Sequence, residues 1–69
     1  MEFSKTVKDI RTSSLLSQED FAKELDVSFS TVNRWETGKT KPSYSALKKL
    51  KSYCERRNIN FDTDSFFNV

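Results

Sequence analysis

Phe29, Ser30, Asn33 and Arg34 lie within six residues of one another, and their types could do recognition chemistry. An Arg guanidinium is a rigid fork of donors, and an Asn amide offers a donor beside an acceptor. On a duplex these would give a two-pronged hydrogen bond to guanine from Arg34 and to adenine from Asn33. Ser30 would allow close approach of the backbone, and Phe29 could lie on a thymine methyl. With Val32 at zero on a helical wheel, Trp35 falls at about −60° and Ser28 at about −40°, an apolar side. Asn33, Thr37, Ser30 and Arg34 fall at about 100°, 140°, 160° and 200°, with Phe29 on the shoulder at about 60°. A short polar face with one Arg, opposite a buried stripe, is what major-groove reading requires. Arg34 would equally suit a phosphate or plain solvent, and Phe29 would equally suit packing.

No other chemistry has its residues. His is absent, the lone Cys54 has no base beside it, and the carboxylates are scattered, so no catalytic set and no metal site is expected. There is no Gly-rich phosphate loop, and no cofactor is expected. Cys54 cannot form an internal disulfide and reads as a small buried hydrophobe. Sixty-nine residues make one small domain, 1–69, near the lower limit for a core without staples. With 32% charged residues, 13% aromatic, one Gly and one Pro, the composition fits a compact helical domain. No apolar run approaches a membrane span or a signal-peptide core, so a soluble, cytoplasmic chain is expected. The net charge of +2 is weak, but residues 1–40 carry −1 and residues 41–69 carry +3. Lys39, Lys41, Lys48, Lys49 and Lys51 gather downstream, either as a phosphate-facing edge or as a solvated helix face.

The elements that must position these residues follow from apolar spacing. Phe3, Val7 and Ile10 predict a first helix from Phe3 to about Ser13, after which Leu15-Leu16 turn the chain back toward the core. Ser17 caps a second helix with Phe21, Ala22 and Leu25 on one face, and Asp20 stands at its third position. Ser28 caps the third helix, which carries Val32 and Trp35 inward and ends at Gly38. Pro42 or Ser43 starts a fourth helix, Tyr44 to about Arg56, with Tyr44, Leu47, Leu50 and Cys54 as its stripe and Asn58 as its end. The tail from 59 to 69 reads as a short fifth helix carrying Phe66 and Phe67, or as an alternating strand through Ile59, Phe61 and Thr63. The helix is preferred.

Gln18, Ala22, the corner residue Asp26, Val32 and Trp35, followed by Glu36, Gly38, Lys39 and Pro42, resemble the helix-turn-helix of the Cro and phage-repressor-like (XRE-type) DNA-binding family. The resemblance covers residues 3 to 60, with the motif at 17–38. It departs where Asp26 and Leu15 stand at positions often held by Gly, which predicts strained corners. It implies an all-α, compact four- to five-helix lambda-repressor-like DNA-binding domain. It also implies that Gln18 clamps the DNA backbone and steadies the third helix, and that Arg11 meets Glu36 as a structural salt bridge. Ser17, Ser28, Thr37, Lys39 and Lys41 are further candidates for backbone phosphate contact.

The function expected is sequence-specific binding of double-stranded DNA by a transcriptional regulator, repressor-like, as a homodimer on paired half-sites. Phe61, Phe66 and Phe67 could supply a dimer interface or close the monomer's own core. The alternative is a protein-interaction module, antitoxin-like or an accessory domain of a larger protein, and a further domain is compatible with the abrupt aromatic tail.

Overall fold

Apolar residues recur at helical spacing in four stretches, and each is a helix in the computed structural model, which describes residues 3–38 and 42–61. In chain order these are α1 (Phe3–Ser13), α2 (Gln18–Leu25), α3 (Phe29–Glu36) and α4 (Tyr44–Arg56). There is no strand among the described residues. Ser17, Ser28 and Ser43 cap α2, α3 and α4, each accepting a hydrogen bond from the amide three residues on. Those bonds satisfy helix-start donors that would otherwise face solvent unpaired.

The helices end in one way. Leu15, Asp26 and Asn58 all take left-handed backbone, at φ 60°, 59° and 58°, as does Gly38 at 74°. After α1, Leu15 N donates to Thr12 O and Leu16 N to Arg11 O. After α2, Asp26 N donates to Lys23 O and Val27 N to Ala22 O, and after α4, Asn58 N donates to Glu55 O and Ile59 N to Cys54 O. These are Schellman motifs, in which the residue after the left-handed one points inward. Leu16, Val27 and Ile59 accordingly pack against the core. Leu15 and Asp26 are thus the strained corners expected from their departure from Gly.

One cluster of buried side chains joins the four helices: Phe3, Val7 and Ile10 of α1, Phe21, Ala22 and Leu25 of α2, Val32 and Trp35 of α3, and five residues of α4. Phe3 meets Trp35 edge to face at 5.8 Å, and Phe21 meets Tyr53 likewise at 5.4 Å. Rings in this geometry add to the stabilisation from burial alone.

One expectation fails. Tyr44 is 68% exposed, and Ala46 and Tyr53 are buried instead. With Leu47 at zero, the buried arc of α4 runs from about 240° to 360°, and Tyr44 at about 60° falls outside it. Leu15 is 92% exposed, because the left-handed turn sends Leu16 inward and Leu15 outward. In the tail, Ile59 and Phe61 pack against the core in irregular chain. The fifth helix or strand, with Phe66 and Phe67, lies outside the described residues.

Candidate nucleic-acid interface

Three residues, Asp26-Val27-Ser28, join α2 to α3, which makes the pair a helix-turn-helix. The corner is held from outside by Lys49 of α4, whose Nζ donates to Asp26 O at 2.9 Å. Ser28 Oγ accepts from Thr31 N at 3.1 Å and lies 2.8 Å from Thr31 Oγ1, fixing the first turn of α3.

Trp35 and Val32 turn the apolar side of α3 into the core, and the opposite side faces out. Ser30, Arg34 and Thr37 are exposed, and Phe29 is 51% exposed. Arg34 makes no side-chain hydrogen bond or ion pair among the described residues, so its fork is free for a ligand. Thr37 donates its hydroxyl to Arg34 O at 3.1 Å at the helix end. Asn33 is half-buried at the edge of this face, and its Nδ2 donates to Gln18 Oε1 at 3.3 Å. Asn33 and Gln18 are therefore brought together, while Phe29, Ser30 and Arg34 stand apart from that pair.

Behind the face lies a charge network. Arg11 donates from Nε to Glu36 Oε2 at 2.6 Å and from its second terminal nitrogen to Oε1 at 2.9 Å, a two-pronged pairing. Its other terminal nitrogen donates to Leu16 O at 2.9 Å, tying the α1–α2 corner to the end of α3. Gln18 Nε2 completes the set by donating to Glu36 Oε1 at 3.0 Å. Burial acts to raise the Glu36 pKa, but hydrogen bonds from Arg11 and Gln18, with the charges of Arg11 and Lys8, outweigh it and hold the carboxyl below its ordinary value. The hydrogen bond to Glu36 holds Arg11 firmly in its charged form. Gln18 thus steadies α3, as the family resemblance implies, but its particular partners follow from no local spacing rule, since Asn33 and Glu36 lie 15 and 18 residues away.

The backbone-contact candidates separate likewise. Ser17 accepts from Asp20 N at the start of α2, and Ser28 and Thr37 bound α3. Lys39 and Lys41 lie outside the described residues. Of the α4 lysines, Lys48 lies over the Tyr44 ring, Lys49 holds the corner and Lys51 approaches Glu55 at 3.9 Å. Cys54 is buried, and desolvation with the nearby Glu55 charge raises its thiol to about 11, which keeps it an unreactive neutral group.

Four helices with a three-residue corner and an outward polar face on the second motif helix define a small helix-turn-helix domain. The chain belongs to the helix-turn-helix family of the Cro and phage-repressor type, a DNA-binding family whose sequence model matches residues 7–57. It is similar to the HTH-type transcriptional activator BcrR of Enterococcus faecalis, 36% identical over 53 residues. That alignment takes in 77% of this chain but only 26% of the relative. No solved structure matches the chain.

Proposed function

We propose that this domain binds double-stranded DNA sequence-specifically in transcription regulation, with α3 in the major groove and α2 across the backbone above it. The observation that carries the reading is the free Arg34 fork beside Ser30 on the side of α3 opposite Trp35. Membership of a DNA-binding family supports it. Arg34 and Asn33 read base edges, with Ser30 and Phe29 at the closest approach. Ser17, Gln18, Ser28, Thr37, Lys39 and Lys41 hold phosphates and fix register. One module offers few contacts, so the working form is a homodimer on half-sites, in the cytoplasm, as part of a regulator that can carry further domains.

Titration against selected and random duplexes at two salt concentrations tests this. The selected duplex is expected to bind more tightly, and affinity for both to fall steeply as salt rises. Arg34→Ala is expected to weaken the selected site by about 1–3 kcal/mol and relax one base position. The half-exposed Phe29 favours the rival reading, a face that docks a protein partner. Equal and salt-insensitive weakness on every duplex would decide for that reading.

A further inference from the structure

The links from Arg11 to Asn33 form a chain of directed hydrogen bonds, at 2.6 and 2.9 Å into Glu36, 3.0 Å from Gln18 and 3.3 Å from Asn33. Chemistry at its buried end leaves each amide one orientation. A carboxylate only accepts, so Gln18 must turn its NH2 toward Glu36 and its carbonyl toward α3. Asn33 must then offer an N–H to that carbonyl. What remains for a base is its Oδ1 acceptor and its second N–H.

We infer that Gln18 is a specificity-determining residue, holding the Asn33 amide in the one orientation that selects adenine over guanine. The inference rests on the proposed reading of α3 as the major-groove helix. Adenine presents an amine donor beside the N7 acceptor, which complements the free half of the docked amide. Guanine presents two acceptors, O6 and N7. An untethered Asn can turn both of its N–H groups to them, whereas the docked one has a single N–H left and sets its Oδ1 against O6. Gln18 thus acts through Asn33 as a positioning residue, in addition to any phosphate it holds.

Binding-site selection with the full chain, as wild type, Asn33→Ala and Gln18→Met, tests this, followed by affinities for the selected duplex and its guanine-substituted counterpart. Wild type is expected to prefer adenine at one position, and Asn33→Ala to lose that preference. Gln18→Met is expected to lose about tenfold of it, while the preference set by Arg34 stays. Uniform weakening by Gln18→Met with the adenine preference intact would make Gln18 a phosphate contact only and overturn the inference. A wild-type protein that selected no sequence would overturn the underlying functional reading itself. The unbound wild-type protein gives an independent measurement by NMR. One Nδ2 proton of Asn33 is expected to exchange with water more slowly than those of the exposed Asn60, and equal exchange would overturn the docking.

Discussion

Glu36 has only 5% of its side chain exposed, so its charge survives because Arg11 and Gln18 surround it with donors. Removing one member of such a pair leaves the other buried and uncompensated. Arg11→Ala is therefore expected to lose about 3 kcal/mol, lowering the melting temperature by more than about 10 °C in a domain of this size. An unchanged melting curve would remove the pair from the account of stability. Because the folded carboxyl lies below its ordinary value, its contribution is present above the unfolded pKa of about 4.5 and is lost as pH falls through the folded value. Acid titration of stability should accordingly be steeper in wild type than in Glu36→Gln. Tyr53 presents the opposite case, since its buried hydroxyl has no hydrogen-bond partner among the described residues. Tyr53→Phe should leave stability unchanged or raise it by about 1 kcal/mol, because the unpaired group is removed and the ring contact with Phe21 kept. A clear loss on urea unfolding would mean that the hydroxyl has a partner in solution.

At the scale of the element, three Schellman endings are built on residues other than Gly. Asp and Asn are residue types whose short polar side chains suit left-handed backbone, as at Asp26 and Asn58, whereas Leu15 has no such relief. Leu15 is also exposed, so it loses nothing in packing when shortened. Leu15→Gly should stabilise the domain by about 1 kcal/mol, and the same change at Asn58 by less. Destabilisation by Leu15→Gly in a melting experiment would contradict this account of the corner. The helix boundaries were legible because caps and apolar spacing are local signals: Ser17 and Ser28 mark two starts, and of the two candidates for the third, Pro42 and Ser43, it is Ser43 that caps α4. Tyr44 was misread for a related reason. An aromatic at a helix start looks like part of the stripe until the buried arc of α4 is fixed by Leu47, Leu50 and Tyr53.

For the whole molecule, the basic residues of α4 and its cap Arg57 have partners within the protein: the Asp26 carbonyl, the Tyr44 and Tyr53 rings and Glu55. Under the proposed function, the phosphate contacts are assigned instead to the α2 start and to Lys39 and Lys41. Lys41→Ala is expected to weaken binding equally on all duplexes and to reduce the salt slope by about one. A change in base preference instead would assign that lysine to reading. If the working form is two-fold, a duplex with two half-sites about one helical turn apart should bind cooperatively in a gel-shift titration. Simple one-to-one binding with the same affinity for a single half-site would count against the dimer.

The sequence by itself determined the four helical stretches, the caps at Ser17 and Ser28 and the face of α3 that turns away from Trp35. Each depends on residues within a turn or two of one another, where helical geometry leaves little choice. The choice of Ser43 over Pro42 as the cap of α4 came from the structure. The Arg11–Glu36 pair was implied by the family resemblance, whereas tertiary structure alone decided through which atoms Gln18 and Asn33 join it. Packing α1, α2 and α3 around one core set Arg11 and Gln18 beside Glu36 and Asn33 beside Gln18, and it made the Asn33 amide the end of a directed chain.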